Sequence, residues 1–231
     1  MEGTGSELPQ GAAKVAAVRS MFDAIAPRYD RVNRLLTFGM DVGWRRRTVA
    51  ALGLAPGARV VDVAAGTGDL CRELDRAGHR SVGVDMALQM LAHARTAAPL
   101  VQADALALPL PDGAADGLTC GFALRNFVDL GGFLAESARV LRPGGRMALL
   151  EVAEPAHPVL RTGHRLYFGR VVPVVGGWLS DKAAYAYLPK SVAYLPDVPT
   201  LLAMVREAGF ESITRRALST GIAQLVTATR R

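Results

Sequence analysis

Val60-Val61-Asp62-Val63-Ala64-Ala65-Gly66-Thr67-Gly68-Asp69-Leu70 is the stretch whose reading decides the fold. A short β-branched apolar run meets an acid, turns through two glycines and enters a helical pattern, which reads as a buried strand, a tight loop and a helix start. Gly66 and Gly68 let a ligand approach bare backbone at the carboxyl end of the strand, where open α/β sheets bind nucleotide-like ligands. A dinucleotide fingerprint needs Gly-x-Gly-x-x-Gly/Ala, and Cys71 stands at its third position. It also seats a pyrophosphate on helix N–H groups, where Asp69 would repel it. Asp62 and Asp69 suit a ligand with positive charge and amino groups, and S-adenosylmethionine, with its sulfonium and α-ammonium, is one. At this point another nucleotide ligand, or a purely structural turn, stays open.

Working downstream, strand 81–84 ends in Asp85, about 20 residues past the glycines, where an acid accepts from two ribose hydroxyls. Capping a helix over 86–97 is the competing role. Strand 100–103 ends in Asp104-Ala105, a carboxylate for an exocyclic adenine amine with a backbone N–H for the ring. Three acids with no nearby lysine disfavour a phosphate. Strand 116–122 leads into Gly121-Phe122-Ala123-Leu124-Arg125-Asn126-Phe127, which places Arg125 and Asn126 at the same crevice edge. A helix over 131–140, a turn at 142–145 and a strand over 147–152 follow. Strands alternating with helices over 59–152 predict a parallel, doubly wound sheet.

Working upstream, residues 1–14 read as a frayed tail and 15–52 as a helical lid over the ligand site, with helices from Val15 and from Asp41. Phe22 and Trp44 in it read as core anchors. Residues 154–197 are too apolar for a free loop and predict a helical cap around a substrate pocket. A helix over 198–208 and a hairpin of 210–217 with 221–229 complete one domain, residues 15–231.

The 231 residues are half hydrophobic, enough for one sizeable α/β domain. No apolar run reaches the roughly 18 residues of a membrane span, and Met1 to Gln10 lack signal-peptide features, so a cytoplasmic location is expected. Cys71 and Cys120 lack metal-ligand spacing, so neither a metal site nor a disulfide is expected. The net charge of +6 is carried almost wholly by arginine, lysine occurring only as Lys14, Lys182 and Lys190. Without a dense basic run interleaved with aromatics, nucleic acid is not an expected partner and a solvated basic surface is favoured.

With these residues in hand, the chain resembles the class I S-adenosylmethionine methyltransferases, more narrowly the ubiquinone/menaquinone-biosynthesis C-methyltransferases. The resemblance runs from about Met21 to Gly221. It is carried by Met21-Phe22-Asp23, Tyr29-Asp30, Asn33, Gly66-Thr67-Gly68-Asp69 and Phe122-Ala123-Leu124-Arg125-Asn126. Leu141-Arg142-Pro143-Gly144-Gly145, Ala186 to Val192 and Ala208-Gly209-Phe210 also fit; Leu124-Arg125-Asn126 and Tyr187 to Ser191 are the most specific.

The resemblance implies a Rossmann-like seven-stranded sheet with a final antiparallel strand. Thr67, Asp85, Asp104, Ala105 and Gly121 fall at cofactor-contact positions, with Asp62, Ala64, Gly66, Gly68 and Met86 in the same binding set. The family often has serine where Gly121 stands and glycine near Ala64-Ala65. Tyr194-Leu195-Pro196 and the Gly221 to Leu225 tail also depart from its pattern. The implied reaction is methyl transfer to a ring carbon of a prenylated naphthohydroquinone. In it Arg125 stabilises an aryloxide, Asn126 orients the ring or the methionine end, and Tyr29 is the next catalytic candidate. His157 and His164 are candidate bases, whereas His79 and His93 look structural. A prenyl tail implies an apolar groove and peripheral membrane contact, and an apolar cap offers a face for a second copy. The alternatives are another aromatic or polyketide acceptor, or a non-catalytic adenosine-ligand-binding relative.

Overall fold

The computed structural model describes residues 10–231, apart from the side chains at positions 182, 183, 186 and 188. Seven strands form one sheet: β1 (Arg59–Val63), β2 (Arg80–Asp85), β3 (Leu100–Gln102), β4 (Ala115–Gly121), β5 (Leu141–Val152), β6 (Phe210–Leu218) and β7 (Ala223–Arg230). Their order is β3-β2-β1-β4-β5-β7-β6, and β7 runs antiparallel to both of its neighbours. Val60, Val61 and Val63 are buried, as expected of a central parallel strand covered on both faces. From β1 the chain winds outward to β2 and β3, then crosses to β4 on the other side. Its switch point lies beside the glycine loop, where such sheets bind ligands.

Helices α1 (Gly11–Ile25), α2 (Tyr29–Leu36) and α3 (Met40–Leu52) precede the sheet. Helix α3 lies on one sheet face, with Trp44, Val49 and Leu52 against Leu70, Leu150 and Leu225, so Trp44 is a core anchor. The opposite face buries Phe133 and Leu134 of α6 (Leu130–Val140) and Leu201 and Val205 of α10 (Val198–Glu207). Of the segment read as a lid, α1 and α2 make the roof. Ile25 and Val32 cluster there with Val172 and Tyr185 of the inserted segment.

That insertion is helical, as expected: α7 (Pro158–Leu166), a wide turn Tyr167–Val171, α8 (Val172–Leu179) and α9 (Lys182–Ser191). Lid and cap therefore form one apolar cluster rather than two flaps. Phe22 belongs to it, half-buried and edge-on to Tyr29 with ring centroids 6.0 Å apart.

The structure corrects three expectations. Residues 1–9 of the predicted tail lie outside the described residues, but the helix begins at Gly11, not Val15, because Lys14 finds buried partners. Residues 29–36 are a helix of their own, restarted after the single 3-10 turn that contains Pro27. The helix over 86–97 is only α5 (Leu88–Ala92). Beyond it Arg95 donates its N–H to the Thr67 carbonyl at 3.1 Å, which draws the chain across the glycine loop instead.

Helices α8 and α9 touch where Gly176 faces Tyr185, and any Cβ at Gly176 would overlap the Tyr185 ring. Gly176→Ala is expected to destabilise the cap by about 1–3 kcal/mol through overpacking. Limited proteolysis should then cut within 158–194 before the sheet is touched; a cleavage pattern equal to wild type would refute this close contact.

Candidate active site

The loop after β1 is built from left-handed backbone: φ is 56° at Ala64, 56° at Gly66 and 79° at Gly68. At Gly68 a Cβ would meet Thr96 Cγ2 at 2.8 Å, so glycine is required for space as well as for conformation. At Gly66 a Cβ would meet nothing within 4 Å: this is the open, bare-backbone side of the loop. Ala64, standing where the resemblance expects glycine nearby, bears a steric cost of roughly 1–2 kcal/mol there.

Asp85, at the tip of β2, fastens this loop. Its Oδ2 accepts from the Gly66 N–H and its Oδ1 from the Ala87 N–H, both at 2.8 Å. The structural role weighed against ribose binding is therefore present. Each oxygen still has a lone pair for a ligand hydroxyl. Burial pushes the Asp85 carboxyl upward, opposed by these backbone bonds. Asp104, just past β3, is exposed and accepts from the Leu106 N–H at 2.9 Å. Met86 and Ala105 are half-buried, each next in sequence to one of these acids. Gly121 ends β4 where a Cβ would lie 2.9 Å from Leu70 Cδ1, so no larger side chain fits without movement of Leu70. Bare backbone at Gly66 with carboxylates at the ends of β2 and β3 fits the hydroxyls and amine of an adenosine group.

Two acids of the opening stretch are already partnered within the protein. Asp62 is 1 % exposed beneath the loop, where Thr119 Oγ1 donates to it at 2.7 Å and Cys71 Sγ at 3.5 Å. Asp69 is neutralised by Arg72 one turn on, by Arg45 of α3 at 3.2 Å and by Arg34 of α2 at 3.4 Å. It latches the N-terminal helices to α4 (Asp69–Arg76). The latch has a second part, because the Thr67 hydroxyl donates to Asp30 of α2.

Below the roof lies an apolar cavity of about 420 Å³. Tyr29, Trp44, Phe122, Arg125, His164 and Tyr185 are among the residues that line it. Phe122 holds a left-handed φ of 60°, a strained state for a bulky residue, of the kind found at functional sites. Arg125 is 5 % exposed; its Nη1 pairs with Glu151 at the end of β5 and its Nε donates to Ser191 of α9 at 3.1 Å. Burial pushes the Tyr29 phenol up, with Arg45, a hydrogen bond to Asn33 and Arg125 pulling it down.

Asn126 is not among the cavity-lining residues; its Oδ1 accepts from the Tyr187 hydroxyl at 3.4 Å. His164 stacks on Phe168 at 5.4 Å, and both its ring nitrogens are buried without a hydrogen-bond partner among the described residues. Burial lowers its pKa. His157 is exposed at the start of α7, outside the cavity. Sequence reasoning missed Glu151 and Ser191. The rule that drew attention to Asp85, an acid ending a buried strand, applies equally to Glu151.

Asp62 gives a pH prediction. Burial raises its carboxyl from 3.8 to about 7, so the native state holds a proton that the unfolded chain releases. Its contribution to stability is full below about pH 4 and is lost as pH rises toward 7. Asp62→Asn, uncharged at every pH, is expected to melt above wild type near pH 8, with the gap closing toward about pH 4 in thermal scans. A gap that does not change with pH would refute the assignment.

The ubiE/COQ5 methyltransferase family matches residues 10–230 of the chain. A demethylmenaquinone methyltransferase of Thermus thermophilus is 48 % identical over 216 residues, covering 89 % of this chain and 97 % of the relative. One from Deinococcus radiodurans is also 48 % identical, covering 91 % of each. Among solved structures, a SAM-dependent methyltransferase from Thermotoga maritima superposes with a TM-score of 0.65 at 19 % identity, over 92 % of this chain and 99 % of its own. The [4+2]-cyclase SpnF reaches 0.69 at 17 % identity, covering 98 % and 99 %, so at this distance only the fold is shared and not the reaction. The expected seven-stranded Rossmann-like architecture is thus confirmed. Through its match over nearly its whole length and its identity to full-length relatives, the chain belongs to the ubiE/COQ5 methyltransferase family and is an enzyme.

Proposed function

We propose that the protein transfers a methyl group from S-adenosylmethionine to a ring carbon of demethylmenaquinol. The observation that carries this reading is the apolar cavity under the roof, whose mainly aromatic and aliphatic wall holds two buried guanidiniums, Arg45, which is committed to Asp41 and Asp69, and Arg125. Gly66 and Gly68 with Asp85, Asp104 and the N–H of Ala105 would hold the nucleoside, and Met86 and Gly121 would border it. When bound, it supplies an electrophilic methyl on its sulfonium.

The chain's own part is mostly positioning. Phe122 and Tyr29, both in the cavity wall, bracket the ring. His164 takes the proton from a ring hydroxyl at one of its unpartnered nitrogens, which raises electron density on the ortho carbon. That carbon takes the methyl as the S–CH3 bond breaks, and its own proton then passes to the ring oxygen, restoring the hydroxyl and the aromatic ring. Arg125 then faces the aryloxide. Its charge is partly compensated by Glu151, so its role is directional: Nη1 and Nε are engaged, which leaves Nη2 to donate to the ring oxygen.

Among the described residues no helix is long and apolar enough to cross a membrane. A cytoplasmic enzyme with transient membrane contact accounts for the exposed Phe38, Val159 and Trp178, which are 74 %, 72 % and 86 % accessible on the lid tip and cap. The same surface could hold a second copy. A methyltransferase for another aromatic acceptor is the second reading, supported by the departures at Tyr194 to Pro196 and beyond Gly221, on the acceptor side.

Calorimetry with S-adenosylmethionine and S-adenosylhomocysteine, then turnover on a short-chain demethylmenaquinol, tests the proposal. Binding with turnover is expected; binding without turnover favours the second reading, and no binding removes both. Arg125→Ala should lower kcat by about 10²-fold or more, the effect of losing an oxyanion donor. His164→Ala should lower it by about 10²-fold, as for loss of a general base. Flotation with anionic liposomes should carry the wild type and leave behind a Phe38→Asp, Trp178→Asp variant; wild-type protein that stays at the bottom refutes membrane contact.

A further inference from the structure

Lys14 is only 4 % exposed, although it stands near the start of the first helix. Its ammonium donates to the carbonyl of Arg125 at 3.0 Å and to that of Phe127 at 2.9 Å. The same nitrogen lies 3.6 Å from the centroid of the Tyr194 ring, a cation–π contact. Three segments far apart in sequence thus meet on one cation: α1, the turn Leu124–Asn126 with Phe127, and the turn Val192–Tyr194 after the cap.

A buried charge is costly unless something compensates it. Here two carbonyl dipoles and a π face do so, in place of a carboxylate. Burial correspondingly lowers the Lys14 pKa.

What Lys14 holds is backbone, and that backbone carries Arg125 and Asn126. Glu151 takes the Arg125 guanidinium and lies 3.4 Å from its main-chain N–H, while Ser191 takes Nε. These bonds orient the Arg125 side chain, and Tyr187 reaches the Asn126 side chain, whereas Lys14 holds the main-chain carbonyls of Arg125 and Phe127. Without the ammonium, two carbonyls in a half-buried setting lose their donor and α1 loses its link to the turn.

We propose that Lys14 is a positioning residue for methyl transfer, tying closure of the N-terminal helix to the placement of the Arg125–Asn126 turn. The role rests on the methyltransferase reading above. It acts through Arg125, since Lys14 bonds to none of Gly66, Thr67 or Asp85. A displacement of about 1 Å at a group facing the reacting ring can cost about 10²-fold in rate, so a backbone tie here has leverage out of proportion to its size.

The test uses the full chain with Lys14→Met, Lys14→Arg and wild type in parallel. Three quantities are measured: the S-adenosylmethionine dissociation constant, kcat on a short-chain demethylmenaquinol, and amide hydrogen exchange of peptides covering 124–127. For Lys14→Met the expected result is a dissociation constant within about 3-fold of wild type, kcat lower by about 10- to 100-fold, and faster exchange at 124–127. Lys14→Arg, which keeps the charge and the donors, should recover most of the rate.

Unchanged exchange at 124–127, a rate within two-fold of wild type, or a loss that Lys14→Arg does not relieve would each overturn the proposal. So would a loss expressed wholly as weaker cofactor binding. If wild type itself does not turn over, the proposed reaction fails, yet the exchange measurement still decides whether Lys14 holds the turn. Should Lys14→Met not fold, Tyr194→Leu loosens the same junction from its more exposed side. It should speed exchange at 124–127 and lower kcat by about 3- to 10-fold; unchanged exchange in that variant would also overturn the proposal.

Discussion

The Asp85 carboxylate grips two backbone N–H groups, those of Gly66 and Ala87, and the layout of the crevice depends on that grip. It joins the tip of β2 to the loop after β1. The loop keeps its left-handed backbone and bare face because its first glycine is tethered from the neighbouring strand. A carboxylate serves here where an amide would not, since both oxygens must accept and both must retain capacity for another donor. The tether also explains the value of a parallel pair at this point. Parallel register brings the carboxyl ends of β1 and β2 to the same edge, so an acid from one strand reaches the loop of the other.

The arginines play the opposite part. They bring the N-terminal helices down on that edge, with Arg34 and Arg45 converging on Asp69 and Asp30 reaching Thr67. Pairs of this kind are weak evidence for stability, because desolvation offsets much of the attraction at Arg45 and solvent screens the half-exposed Arg34. Their directionality matters more: they let α2 and α3 sit in one place only. Arg125 and Glu151 repeat the device in the cavity wall, where a lone guanidinium would either draw in water or bind an adventitious anion.

The parts of the fold that were legible in the sequence were those written locally. The β-branched run at Val60 to Val63, the glycines after it and the strand-end acids placed the sheet, its winding and its crevice. The apolar composition of 154–197 was enough to show a cap. Side-chain partners were less legible because they depend on residues distant in sequence. Asp69 looks like a ligand group until Arg34 and Arg45 arrive from 24 to 35 residues away. Lys14 looks like part of a polar tail until Phe127, 113 residues on, accepts its bond. Helix α5 looked longer because a polar, alanine-rich run suits a helix, and nothing local says that the Arg95 N–H is claimed by Thr67. His164 was visible as a candidate, but its orphaned nitrogens emerge only from the packing of Phe168 and the cavity wall.

The sheet order carries a kinetic consequence. Strand β7 follows β6 in the chain yet lies between β5 and β6, pairing Arg146 with Thr229 and Val152 with Ala223. Until it inserts, β5 presents an unpaired edge and β6 has no place in the sheet. Closure must therefore wait for contacts spanning roughly 70 to 80 residues, with the whole cap strung between them, which makes it a slow, high-contact-order step. A nascent or heat-loosened molecule that loses β7 exposes the long, apolar edge of β5, which can template pairing with another chain. Aggregation from the far end of the sheet, rather than unfolding at the crevice, is thus the failure mode that this topology builds in.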